Sequence, residues 1–523
     1  MGIFRLAEYV HVDDLGLSLG IFQRLLILVV GITILAAGYH AFHQLVLHPL
    51  AKFPGPKLAA LTNFPYSQSY LGGRQPWDML KLHQRYGPVV RVSPSELSFN
   101  TSQSWSDIYG VGKEKTTCFI KSAFYDGGNF ADQAHSIVSE RDPEKHRQMR
   151  KFLSRAFADS SLREQEHLVS EIIDKFVDRV GQEGTVDLTH WFNLLTFDVI
   201  AKLAFGQDFR GIESGETHTW IKDVLGSMSQ ANTSDALSRF PRIGKLWLLF
   251  NRGWLANLIE AATRHQQYTI DLTKKRINEV TDRKDFMSYL LKDRSENSDI
   301  QLSAHASDFV IAGSETTATT LAVVFYYLCR VPAVRQRLTR EIRSAFARYA
   351  DINGTSAAQL PYLHAVCLEA LRVCPPLPLA LPREVPASGA VVDGVWVPGG
   401  TIVATNPFAA CMSPSNFKDP EVFDPERWLH GNAATISSGD ETELLMGRGG
   451  GGDVLDASRP FSYGPRSCLG RSLAWLEMNI TIARLLFNYD VSLVNEDLDW
   501  LGQSEMHLLW KKPSMFVQFT KVV

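Results

Sequence analysis

Cysteine is scarce in this chain, and what there is stands apart. Six cysteines are spread over 523 residues, at positions 118, 329, 367, 374, 411 and 468, and no two have C-x-x-C spacing. This excludes a zinc ribbon, a thioredoxin-type dithiol and a disulfide scaffold, and it suits a reducing compartment. A charge bias is missing as well. The 53 Lys and Arg nearly balance 56 Asp and Glu, a formal charge of −3, so nothing points to nucleic acid. No P-loop occurs, and no G-x-G-x-x-G opens a helix after a strand, so a nucleotide or flavin module is not expected. The GRGGGG run within residues 430–458 lacks the Lys-Ser/Thr ending and reads as a flexible surface insertion. Internal repeats are absent, and no linker long enough to divide domains follows residue 58. With 45% hydrophobic and 21% charged residues the chain is globular.

One long apolar run is present. Leu25–Phe42 holds no Asp, Glu, Lys or Arg. At ~1.5 Å per residue this run and its flanks cross a hydrocarbon core of about 30 Å. Residues 21–42 are therefore expected to form a transmembrane anchor after a short segment, 1–20. A core helix and a cleaved signal peptide are the alternatives. Arg5 and Arg24 before the run balance Lys52 and Lys57 after it, so charge does not orient it. The prolines of HPLAKFPGP then predict a stiff hinge, placed at 43–57. Residues 58–523 read as one body. Apolar periodicity predicts helices over Arg163–Val180, Phe192–Phe205 and Trp254–Val280, a buried one over Ser303–Arg330, and another over Leu469–Leu486. Val89–Val92 reads as a strand. Val391–Val397 and Thr401–Thr405 flank Pro-Gly-Gly and read as a hairpin. The fold class is mainly α with a small β portion.

The chemistry is concentrated near the C-terminus, in FSYGPRSCLG. Cys468 lies between Gly464 and Gly470, just before an apolar helix. A helix N-terminus favours a thiolate, which suits a metal ligand or a nucleophile. The glycines admit a large flat ligand. A buried structural cysteine is the plainer alternative. The pattern F-x-x-G-x-R-x-C-x-G fixes enough positions that chance occurrence is on the order of 1 in 10⁴. In this loop the sequence resembles the cytochrome P450 family, and its HPL-x-x-x-PGP hinge resembles fungal microsomal members. The resemblance covers roughly residues 48–520. It implies a cytochrome P450 fold behind a single transmembrane helix, and haem b with Cys468 as axial thiolate. Such a ligand pushes electron density onto iron and favours O–O cleavage.

Other segments carry the same resemblance. AGSETT, Ala312–Thr317, sits on the long helix and matches the family's oxygen-activation motif. It implies that Thr316 and Glu315 serve proton delivery, with Gly313 giving room for a ligand. Glu369 and Arg372 form an E-x-x-R pair, and Arg427 in PERW is the candidate second arginine. These three are expected to be structural. Arg150, Arg383 and Arg466 match family positions that hold haem propionates. His146 replaces the usual Trp there and keeps a ring N–H. Cys411-Met412 stands where a basic residue is common. Arg147, Lys151 and Arg155 form a basic stripe, either a solvated face or a docking site for an acidic electron donor.

The resemblance therefore implies a membrane-anchored haem-thiolate monooxygenase. It would insert one atom of O₂ into an apolar small molecule. The best candidates are terpenoid or polyketide intermediates of fungal secondary metabolism. Fatty acid, sterol or xenobiotic oxidation is the alternative, as is a peroxide-using or isomerising relative or a non-catalytic haem protein. Electrons would come from NADPH through cytochrome P450 reductase, with cytochrome b5 as a second donor. The expected location is the endoplasmic reticulum membrane, single-pass, with the catalytic domain facing the cytosol. Candidate pocket walls are Phe119, Phe124, Tyr125, Phe130, Leu379, Phe309 and Ala312. Sequons begin at Asn100, Asn232, Asn353 and Asn479, and glycosylation of exposed ones would mark a lumenal body.

Overall fold

A computed structural model describes residues 12–111, 119–292, 298–429 and 452–522. Cys118 and the Gly-rich stretch through residue 451 lie outside the described residues.

The body is built around the helix Asp299–Arg330. Ser298 starts it, its hydroxyl accepting from the Gln301 N–H at 3.1 Å, and Pro332 prevents its continuation. It is apolar enough to cross a membrane, yet most of it is buried inside the protein. Leu188–Phe205 packs along this central helix, with Phe192 and Phe325 rings 5.4 Å apart. That neighbour ends at Gly206, whose φ of 65° is the left-handed conformation glycine accepts. Asp159–Glu183, Pro361–Val373 and Arg471–Asn488 complete the helical core. Two predicted helices, from Phe192 and Ser303, begin about one turn earlier than periodicity placed them, where Asp187 and Ser298 cap them.

The β portion is small. A mixed five-stranded sheet runs in the order Val89–Ser93, Glu96–Phe99, Ile402–Thr405, Arg383–Glu384, Ile120–Lys121. The predicted hairpin is corrected here. Ala390–Val392 pairs with Val395–Val397, and the turn is Asp393-Gly394, with φ of 49° and 74°. Asp-Gly is the dipeptide such tight turns favour. Ile402–Thr405 instead pairs in parallel with Glu96–Phe99, which the local sequence does not reveal.

The expected surface insertion is also shorter than its composition suggested. From Asp453 the chain is buried, with Leu455 and Ala457 packed beside Trp428. At the other end, the exposed apolar stretch Phe22–Leu47 packs against no core and is fit to anchor the chain in a membrane. Its end is tied to the body by buried Arg91, which donates to Gln44 O and Gln44 Oε1, both at 2.8 Å.

Candidate active site around Cys468

The Cys468 loop is held by its backbone. The Ser467 N–H donates to Gly464 O and the Cys468 N–H to Phe461 O, each at 2.9 Å. Gly464 has φ of 72°, and a Cβ there would lie 2.1 Å from Tyr109 O. Conformation and close approach thus both require glycine. The helix begins at Arg471 with Gly470 as its cap, so Cys468 stands just outside it.

Cys468 is exposed, whereas Cys367, Cys374 and Cys411 are buried. Burial nevertheless pushes its thiol up, against the Gly470 N–H and the charges of Arg150 and Arg471, which pull it down. A thiol both accessible and desolvated lines a recess, not a convex surface. A coordinated metal would remove the proton outright.

The central helix opens one face to a recess. Ala312 is exposed and Gly313 and Thr316 are half-buried, while Ser314, Glu315 and Thr317 are buried. Ala312 and Thr316 are one turn apart, and the Thr316 hydroxyl donates to Ala312 O at 2.6 Å. Gly313 departs from expectation. A Cβ there would approach Ile200 Cδ1 to 3.1 Å, so its missing side chain makes room for the neighbouring helix. Glu315 is buried and pairs with Lys512, at 2.5 Å.

Cations converge near the Cys468 loop. Arg150 donates to Ser467 O at 2.7 Å. Arg466 donates to Glu140 O at 2.7 Å and Arg141 O at 2.8 Å. Arg383 donates to Tyr125 Oη at 3.0 Å. Sequence reasoning missed a fourth member, Lys121. It is buried, and its ammonium donates to Ile137 O at 2.9 Å and Val138 O at 2.7 Å. A lone lysine in a two-residue strand carries no sequence signal. Burial, then Arg466 and Arg383, push it down to about 6. Buried His146 falls to about 3, through burial and repulsion from Arg466, Lys121, Arg150 and Arg383. It is a neutral ring with an N–H to donate. A positive field this strong, beside an accessible thiol, fits a ligand that brings carboxylates, as haem does.

Glu369, Arg372 and Arg427 come together away from this recess. Arg372 forks onto Glu369 with contacts of 2.7 and 2.8 Å, and Arg427 Nε donates at 3.1 Å. Trp428 Nε1 also donates to Glu369, at 2.9 Å, so it does more than pack. Asp453 accepts from Arg427 at 2.5 Å. Cys411 is buried, its carbonyl accepting from Arg372 at 3.0 Å.

The remaining expectations divide. Phe309 packs with Phe157 and Phe286 at 5.1 and 5.7 Å, as ordinary core. Leu379 is likewise in the core cluster. Tyr125 faces Arg383, and Phe130 stands 6.3 Å from His265. In the basic stripe Arg147 pairs with Glu144 at 2.6 Å, while Lys151 and Arg155 are exposed.

The family model described as cytochrome P450 matches residues 54–519. Cytochrome P450 monooxygenase ORF11 of Penicillium roqueforti is 47% identical over 470 residues, 89% of this chain and 94% of that protein. Cytochrome P450 monooxygenase BipB of Cochliobolus sativus is 39% identical over 492 residues, 91% of this chain and 93% of its own length. Cytochrome P450 monooxygenase BOA3 of Botryotinia fuckeliana is 37% identical over 491 residues, 92% and 94% of the two chains.

Proposed function

The chain belongs to the cytochrome P450 family, and on that premise we propose that Cys468 is the axial thiolate of its haem in a membrane-anchored monooxygenase. Members are oxidoreductases that carry haem b on a cysteine thiolate. Bound haem supplies the activation of O₂. This chain's residues do the rest. Arg150, Arg383, Arg466 and Lys121, with neutral His146, would hold the haem carboxylates. Thr316 and Glu315 move protons into the recess. One oxygen atom enters a substrate C–H bond and the other leaves as water, with electrons from NADPH through a separate reductase or cytochrome b5.

The substrate class is a terpenoid or polyketide intermediate of secondary metabolism. Similarity to fungal cytochrome P450 monooxygenases supports this class. The body faces the cytosol from the endoplasmic reticulum membrane, where the reductase is within reach. Lys151 and Arg155 offer that acidic partner an exposed basic face. Ile243, Leu246, Leu249 and Phe250 project from the helix Pro241–Phe250, each more than half exposed. Such an apolar face suits the membrane surface.

The observation that carries this reading is the accessible Cys468 thiol, held by a glycine turn near half-buried Arg150 and Arg466 and buried Arg383 and Lys121. The test is the ferrous–carbonyl absorption spectrum of purified, haem-loaded protein. The long-wavelength signature of a thiolate ligand is expected, and its loss in Cys468→Ala. A variant spectrum identical to the parent's overturns the assignment.

A further inference from the structure

Toward its N-terminus the open face of the central helix turns polar. Gln301, His305, Asp308 and Ala312 follow one another at steps of four, three and four residues, so they share that face. Ala312 is its exposed end. The loop 135–138 docks on the rest. Gln301 Nε2 donates to His135 O at 2.5 Å, and the Val138 N–H donates to Asp308 Oδ2 at 3.1 Å.

The same Gln301 nitrogen lies 3.2 Å from His305 Nε2. The His135 carbonyl fixes which end of the amide is the NH₂, so Nε2 of the imidazole accepts its second proton. Burial pushes His305 down to about 4, which leaves the ring neutral with its own proton on Nδ1. His305 is fully buried, and Nδ1 has no hydrogen-bond partner among the described residues. An orphaned buried donor is costly, and a ligand that meets it recovers that cost.

Asp308 supplies the opposite character one turn further on. It is half-buried. Burial pushes its carboxyl up to about 6, against donation from Ser136 and Val138 and the charge of Lys121. Above that pH it is an anion, and two donors leave a carboxylate with acceptor capacity to spare. Three residues apart on a helix, His305 and Asp308 have Cβ atoms about 5–6 Å from each other, so one oxygen atom can meet both.

We propose that His305 and Asp308 form a subsite for a substrate hydroxyl, with the His305 Nδ1–H donating to its oxygen and the Asp308 carboxylate accepting its O–H. The inference rests on the haem-thiolate reading above, which makes the recess the substrate site. A hydroxyl both accepts and donates, a ketone only accepts, and a hydrocarbon does neither. A donor beside an acceptor therefore selects an alcohol. At the helical rise the pair stands ~6–10 Å along the axis from Ala312. The substrate is thus an apolar skeleton already hydroxylated at one end, held there while a carbon across the skeleton lies beside Ala312.

The test is binding to the full-length, haem-loaded protein, followed by haem absorption and by calorimetry. The probes are two matched sets: menthol, menthone and p-menthane, and cyclododecanol, cyclododecanone and cyclododecane. In at least one set the parent should bind the alcohol about tenfold more tightly than the ketone, and the ketone more tightly than the hydrocarbon. Asp308→Leu should bring the alcohol level with the ketone. His305→Phe should bring the ketone level with the hydrocarbon. Should Asp308→Leu not retain haem, Asp308→Asn replaces it. That variant keeps an acceptor for the Val138 N–H without the charge, and the preference for alcohol over ketone should fall by about threefold or more. A parent that binds the alcohol no more tightly than the ketone in both sets overturns the subsite. So do preferences that persist unchanged in haem-loaded variants of Asp308 and His305. A parent without the thiolate carbonyl signature overturns the haem-thiolate reading instead, while calorimetry still reads the preference for alcohol.

Discussion

Lys121 and Arg383 stand directly opposite each other across an antiparallel strand pair. Both are buried. Like charges facing each other in this way are destabilising, so burial and the neighbouring arginines push Lys121 down to about 6, and an anion bridging the pair would restore its charge. Lys121→Met is expected to leave the unloaded fold intact while weakening its hold on haem. One hydrogen bond to a charged group is worth ~1.5–3 kcal/mol, or about tenfold and more in haem release. Transfer of haem to excess apomyoglobin measures it. Release at the parent rate would separate Lys121 from the cofactor.

The carboxylate of Glu369 depends on several donors at once. Arg427→Met should destabilise the loaded protein by ~3–5 kcal/mol, because it strips a cation from a sealed ionic cluster. Trp428→Phe should cost ~1.5–3 kcal/mol through the lost indole N–H. Denaturant unfolding reads both. A Phe variant as stable as the parent would return Trp428 to packing alone.

Thr316 is expected to separate chemistry from stability. Among the described residues its hydroxyl donates to its own helix alone, at Ala312 O, so Thr316→Ala should shift stability by no more than ~1 kcal/mol. NADPH consumption should nevertheless run ahead of product, with the difference appearing as peroxide. Full coupling in the variant would remove Thr316 from the proton path.

Glu477 predicts a pH dependence. It is buried on the helix after Cys468, its Oε2 has no hydrogen-bond partner among the described residues, and burial raises its pKa well above 4.5. The folded protein therefore keeps a proton that the unfolded chain loses near 4.5. The stability from this group is present below that value and is lost as pH climbs past it. Glu477→Gln should gain on the parent with rising pH, by up to about 1.4 kcal/mol per unit. Unfolding midpoints at pH 5 and pH 8 give the slope. Parallel curves would mean that Glu477 ionises normally.

Topology can be read at one sequon. Asn100, Asn232 and Asn479 are buried, while Asn353 is exposed at the start of Gly354–Ala357. A cytosolic body leaves Asn353 bare. A mass shift on glycosidase treatment that Asn353→Gln abolishes would place the body in the lumen.

Much of this protein is legible in its order of residues. The uncharged Leu25–Phe42 run, the apolar periodicity of the core helices and the F-x-x-G-x-R-x-C-x-G loop are local patterns. Each follows from residue spacing, so each could be read before any fold was known. The strand partner of Ile402–Thr405, the burial of Asp453–Ser458, the facing of Lys121 and Arg383, and the grip of Lys512 on Glu315 could not. These join residues far apart along the chain, and no short-range preference specifies who meets whom. The direction of the Cys468 thiol belongs with them. Gly470 and Arg471 beside it pull the thiol down, while burial by the assembled protein pushes it up. What the sequence determined is therefore what spacing and local backbone preference control. What tertiary structure decided is partnership and dielectric environment, which exist only once distant segments have packed together.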